Sequence, residues 1–417
     1  MTGRLVGTVA CVGAAALALL AGCSAGPAPT TAQPSVEVFT WWASGSEKLA
    51  YDTLASAFRD AHPDVRYDDV GVAGGAGTAA KDVLASRLSN GDAPDSFQVH
   101  GGAELATYVA DGDVADLSAL YAELGLDAVL PDLVRDLVSV DGVPYAVPTN
   151  IHRANLVWAN PAVLTAAGLD PSASFATIDD WLVALEKVRE SGRTPLALGA
   201  PWTQVHLLEQ VLLSRLGPAG YSGLWDGSTD PMSARVATAL GDFAKLLGYA
   251  NADREALDWP DAADRVRYGD AAFIVMGDWA QQTLQSPVIW APFPGTSGVD
   301  DIVVDAFAEA VGAPHPTSAR LWLETVADHE AQVSFANGKG AVPARSDVST
   351  AELHTYPRAA LSSLRTDQIV LSLAHGAVTT PRALDDLNDA VARLGRGEAA
   401  TATVQNALAA AARAAQP

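Results

Sequence analysis

The sequence predicts an α/β protein built as two lobes, and three observations carry that expectation. Strand and helix patterns alternate from residue 35 to residue 99, the order that pairs strands in parallel. A break at Pro148-Thr149-Asn150 marks a crossover, and residues 151–285 beyond it are helix-rich. A further apolar run, Ile302 to Ala306, then reads as a strand returning to the first part of the chain. The length of 417 residues allows two or three domains.

The elements follow in order. Val36, Val38 and Thr40 are β-branched and alternate with Glu37 and Phe39, so 35–41 reads as a strand. Ala50, Leu54, Phe58 and Ala61 recur at three- and four-residue steps, which predicts a helix over 46–61 ended by His62-Pro63. Val65 to Val72 reads as a second strand, Gly71 to Gly77 as a glycine-rich turn, and Thr78 to Leu88 as a second helix. Asp95 to Val99 is a short strand entered through Ala93-Pro94, and 101–138 is mostly helical. Asp141-Gly142 between two apolar runs signals a hairpin. Strands are expected at Ala154–Trp158 and Ala272–Met276, a loop at Pro292–Ser297, and helix again from Ala351.

Hydrophobic residues make up 49% and charged residues 18%, the make-up of a folded globular chain. Lys plus Arg number 26 against 49 Asp plus Glu, a net charge of -23. Such a surface repels polyanions, so nucleic acid is excluded as a partner. Arg4 and the apolar stretch Val6–Leu20 read as a signal peptide over residues 1–22, ending at Leu20-Ala21-Gly22-Cys23. That string resembles the bacterial lipobox, so Cys23 is expected to carry a lipid. Residues 24–34 are small, polar and Pro-rich and read as a tether. With Cys11 in the signal and Cys23 lipidated, the body has no disulfide, cysteine nucleophile or Cys-ligated metal. The expectation is a body held outside the membrane by its lipid.

Candidate site residues gather at strand ends. Trp41 and Trp42 close the first strand, where open α/β sheets bind ligands; adjacent residues face opposite ways, so one can pack inward while the other lines a cleft. Ser44-Gly45-Ser46-Glu47 has capping-box spacing, and Glu47 is equally a carboxylate able to accept bonds from two hydroxyls. Gln98 and His100 stand at i, i+2 on one face and suit a neutral polyhydroxyl ligand. Asn150 sits at the crossover and Asp305 at the end of the returning strand. Lys339 falls in the turn Asn337-Gly338-Lys339-Gly340, and His375 in the apolar segment Leu371–Val378. Trp259, Asp278 and Trp279 read equally as core. There is no phosphate-loop motif, His-Glu-x-x-His or Gly-x-Ser-x-Gly. No metal, cofactor or catalytic residue is expected.

The strings VEVFTWWASGSE, GDAPDSFQVHGGAEL, VPTNIHRANLVW, APWTQVHL, AAFIVMGDWA, WAPFPGT and SLAHGAV span residues 36–378. Together they resemble the lipid-anchored solute-binding proteins of bacterial ABC sugar importers (extracellular solute-binding protein family 1), closest to the glucose and monosaccharide branch. The resemblance implies the type II periplasmic-binding-protein fold, with the ligand in the cleft between lobes. The lobes would comprise 35–148 with 300–342, and 149–299 with 343–417. It implies that Trp42 and Trp259 sandwich a sugar ring and that Trp41 lines the cleft. Glu47, Gln98, His100, Asn150, Asp305, Lys339 and His375 would bond its hydroxyls, with Asp278 and Trp279 behind them. The segment around Lys339 departs from the pattern. The implied partners are a monosaccharide, the transmembrane permease subunits and, through Cys23, the membrane; the implied state is a monomer that catalyses no reaction. Three rivals remain: a disaccharide or oligosaccharide receptor, a surface glycosidase using Glu47 with Asp305 or Asp278, and an adhesion lipoprotein.

Overall fold

The computed structural model describes residues 33–73, 78–172 and 174–416. The signal peptide, Cys23, nearly all of the tether and the end of the Gly71–Gly77 turn lie outside the described residues.

Among the described residues, thirteen strands form two main sheets and one hairpin. In chain order they are β1 (Ser35–Phe39), β2 (Arg66–Asp69), β3 (Ser96–His100), β4 (Ser139–Val140), β5 (Val143–Pro144), β6 (Ala146–Arg153), β7 (Leu156–Ala159), β8 (Thr194–Ala197), β9 (Ala271–Val275), β10 (Ile289–Pro292), β11 (Val299–Glu309), β12 (Val342–Pro343) and β13 (Gln368–Leu371). The seven-stranded sheet runs β12-β6-β11-β3-β1-β2, with β13 also on β11. Strands β1, β2 and β3 are parallel, as the alternating pattern requires, and β11 returns antiparallel between β3 and β6. The four-stranded sheet runs β10-β7-β9-β8. Both are α/β layers, and the chain passes from one to the other between β6 and β7.

Sequence chemistry explains the local forms. The helix Gly45–Ala61 buries Ala50, Tyr51, Leu54, Ala55 and Phe58 on one face, and the His62 N–H closes it on Phe58 O. Asp141 and Gly142 both take positive φ, 52° and 78°, the twist a two-residue hairpin between β4 and β5 needs. Every residue of β3 and β6 is buried, as in strands covered on both faces. On the first sheet Trp42, Tyr51, Phe307 and Trp322 pack edge to face, with the Phe307 and Trp322 centroids 5.2 Å apart. Trp181, Phe273 and Phe293 play the same part on the second.

Three expectations are corrected. Pro148-Thr149-Asn150 does not break the chain: β6 runs through it. The register slips there, with Asp305 opposite Asn150 but Ala306 opposite Pro148, so Thr149 is the extra residue of a β-bulge. A proline beside a bulge removes a ladder donor where the ladder is already interrupted. Asp305 lies in mid-strand, not at a strand end. Residues 337–339 close the helix His329–Lys339, and only Gly340 takes the left-handed cap.

Candidate functional site

Strands β3, β11 and β6 lie side by side, and their register sets His100, Asp305 and Asn150 in one row. Asp305 is the centre of that row. Its Oδ1 accepts from Gln98 Nε2 at 3.2 Å and its Oδ2 from Asn150 Nδ2 at 3.0 Å. The i, i+2 spacing that puts Gln98 beside His100 also puts His152 beside Asn150. His100 Nε2 stands 3.6 Å from Asp305 Oδ1, and His152 Nε2 stands 3.4 Å from Oδ2.

Each of these imidazoles is held from behind by a second carboxylate. His100 Nδ1 lies 3.0 Å from Glu104 Oε2, and Lys81 Nζ donates to the same oxygen at 2.6 Å. Burial alone would raise the Glu104 carboxyl; Lys81 and His100 overcome it and hold the group at about 2. His152 Nδ1 is hydrogen-bonded to Asp278 Oδ1. Asp278 Oδ2 accepts from Arg153 N at 3.0 Å and from the Tyr356 hydroxyl at 3.1 Å. The Nε2 atoms of both rings and the Asp305 carboxylate face one space. His152 Nε2 has no hydrogen-bond partner among the described residues.

That space is a narrow cavity of about 30 Å³, enough for a water molecule and well short of the roughly 300–1,000 Å³ typical of small-molecule sites. Trp41, Trp42, Glu47, His100, His152, Asp305 and Lys339 line it from the first sheet's side. Trp202, Trp259, Trp279 and His375 face them. Lys339 is 2% exposed, ion-paired with Glu47, and 5.1 Å above the Trp42 ring. The capping-box alternative for Glu47 fails, because Ser44 makes no side-chain cap. Trp41 lies 4.8 Å from the His100 ring. Trp42 is 1% exposed and packs on Phe335 at 4.9 Å, so it belongs to the core and the cavity wall at once.

The opposite wall rests on two elements. Trp259 opens the helix Trp259–Tyr268, fixed by the Asp258 capping box. Trp202 opens the helix Pro201–Asp226, whose residues 202, 206 and 209 share one stripe at i, i+4 and i+7. Glu209 on that stripe takes Leu373 N at 2.5 Å, Ser372 Oγ at 3.2 Å and Ala374 N at 3.3 Å. It thereby anchors the segment that carries His375. Burial and the neighbouring histidines and Lys81 keep the His375 ring well below its ordinary pKa, hence neutral.

Of the residues singled out in the sequence, Trp41, Trp42, Glu47, His100, Trp259, Asp305, Lys339 and His375 line this one cavity. Gln98 and Asn150 sit one layer behind, bonded to Asp305. Trp279 lines the cavity and Asp278 holds His152. Sequence reading missed His152 and Trp202. The signals were present: His152 repeats the i, i+2 pairing of Gln98 and His100, and Trp202, His206 and Glu209 share a helix face.

The family model described as bacterial extracellular solute-binding protein matches residues 42–333. An uncharacterised ABC-transporter extracellular-binding protein of Pyrococcus horikoshii is 32% identical over 400 residues, 92% of this chain and 90% of that one. A xylose/arabinose-binding protein of Haloferax volcanii is 29% identical, covering 84% of this chain and 78% of its own. Among solved structures, a chitin oligosaccharide binding protein superposes with a TM-score of 0.79 at 19% identity, over 91% of this chain and 98% of that one. No described helix is long and apolar enough to cross a membrane.

Proposed function

The chain belongs to the bacterial extracellular solute-binding protein family, and from that premise we propose that it captures one neutral monosaccharide, glucose or a close relative. It then hands the sugar to the permease of an ABC importer. One observation carries this reading: the Asp305 carboxylate and the His100 and His152 imidazoles face a narrow tryptophan-walled cavity, which parting of the two lobes would widen to admit a single sugar ring. A pyranose offers hydroxyls to such polar groups and apolar CH faces to indole rings. Trp42 and Trp259 sandwich the ring. Glu47 and Lys339 address one edge of it, His375 another.

Capture involves hinge closure of two lobes, 35–148 with 300–342 and 149–299 with 343–417. The protein works as a monomer on the outer face of the membrane, tethered through lipid on Cys23. The xylose/arabinose-binding relative supports a small sugar.

One observation favours a longer ligand. A second cavity of about 490 Å³ adjoins the first and shares Trp202 with it, and Lys81 and Glu104 stand on its wall. A disaccharide could extend that way. A glycosidase is disfavoured because the carboxylates it would use are tied to Lys339 and His152.

Thermal-shift measurements with glucose, galactose, mannose, xylose, maltose and trehalose test the reading. At 100 Kd a bound sugar stabilises by about 2.7 kcal/mol, readily seen as a rise in Tm. A rise with a monosaccharide supports it. A rise with disaccharides alone moves the ligand into both cavities, and turnover of aryl glycosides overturns the receptor assignment.

A further inference from the structure

Behind the sugar cavity, His375 meets two further polar side chains, His206 and Glu209, that the sugar reading does not use. His206, Glu209 and His375 are all buried, and one ligand atom of each lies within 4.8 Å of the others. They come from one helix face and from the loop it anchors. His206 Nδ1 is 3.7 Å from Glu209 Oε2. Ser372 Oγ adds a fourth polar group, 3.2 Å from Glu209 Oε2 and 2.9 Å from His375 Nδ1.

We propose that His206, Glu209 and His375 bind a divalent transition metal of the zinc class beneath the sugar cavity. Two imidazoles and one carboxylate are the donor set such an ion takes. Zinc bonds of about 2.0–2.2 Å place tetrahedral ligand atoms roughly 3.4 Å apart. The His206–Glu209 pair, at 3.7 Å, is nearly there, and the remainder requires drawing in by up to about 1.4 Å.

A second observation points the same way. His206 is fully buried and neither ring nitrogen has a well-formed hydrogen bond among the described residues. Such an orphaned imidazole is costly unless something fills its coordination. In sequence the three ligands are a helical i, i+3 pair and a histidine 166 positions further on, a spacing that matches no zinc motif.

The test uses the whole protein, stripped with a chelator and titrated with zinc chloride, then with cobalt chloride. The expected result is one equivalent bound, with a tetrahedral visible absorption for cobalt and about two imidazoles by zinc-edge X-ray absorption on the wild type. His206→Asn and Glu209→Gln should each weaken binding by at least about tenfold. His329→Ala, at a surface histidine beside Glu352, should leave it unchanged. Failure of the wild type to bind zinc overturns the proposal. So does undiminished binding in a folded His206→Asn protein, or a wild-type site without imidazole ligands. Sugar affinity is measured separately, so loss of one reading leaves the other standing.

Discussion

Glu104 shows how much of the site is held by groups that never face the cavity. It is 2% exposed, yet it accepts from Lys81 and stands against His100 Nδ1. Its carboxyl sits near 2 when folded against an ordinary 4.5. A depressed acid contributes stability that is complete above pH 4.5 and is lost as pH falls toward 2. The shift corresponds to roughly 3 kcal/mol at most. Acid titration of urea stability should therefore show wild type falling steeply between about pH 4.5 and 2. Glu104→Gln should flatten that slope; an unchanged slope would remove the Lys81–Glu104–His100 chain from the account. The same chain holds the His100 ring in place on the cavity wall, so the variant should also weaken sugar binding. The charge of Asp305 is distributed differently: two amides donate to it directly, and the oxygens still face His100 and His152.

At the scale of elements, backbone shape decides how closely the two sides of the cavity meet. Gly102 starts the helix Ala103–Asp111 with φ at 97°, and a Cβ there would lie 2.4 Å from the Ala377 carbonyl oxygen. The next two amides, Ala103 N and Glu104 N, donate to Ala377 O and Gly376 O. Gly102→Ala should cost at least about 2 kcal/mol in urea unfolding, from the strained φ and the clash together. Gly112 sits in the ordinary left-handed region (φ 77°, ψ 25°) with open space around it, and Gly112→Ala should cost only about 1 kcal/mol. Equal costs would mean that the close approach contributes nothing. Gly277 is needed for another reason, since a Cβ would enter the Trp279 ring at 2.0 Å.

Much at this scale was legible beforehand. Periodicity located the helix 46–61, alternation located β1, and Asp-Gly located the hairpin, because each is a local signal. The bulge at Thr149 was not legible, since it depends on how β6 meets β11. The end of the helix His329–Lys339 was misread because Gly338 inside it resembles a turn. Lys339 looked solvated because only the tertiary fold brings Glu47 to it. His152 and Trp202 stand in visible local patterns, but only the tertiary fold brings Asp278, Asp305 and the cavity to them.

For the whole molecule, two α/β layers bring residues from distant segments around one cavity, and every indole and imidazole lining it is at most 7% exposed. A ligand in such a place is read group by group, since an unmet partner is desolvated at full cost. The acidic charge of the chain has no counterpart in that recognition; it bears on which partners are repelled. The central claim is that Asp305 and its two flanking imidazoles hold a single neutral sugar ring. Calorimetric titration of wild type and Asp305→Asn with glucose, xylose and maltose tests it most directly. The account predicts one-to-one monosaccharide binding in wild type. Hydrogen bonds to a charged group contribute about 1.5–3 kcal/mol, so Asp305→Asn should weaken binding by roughly ten- to a hundredfold. Equal affinity in the two proteins, or heat from no sugar in the set, would contradict it.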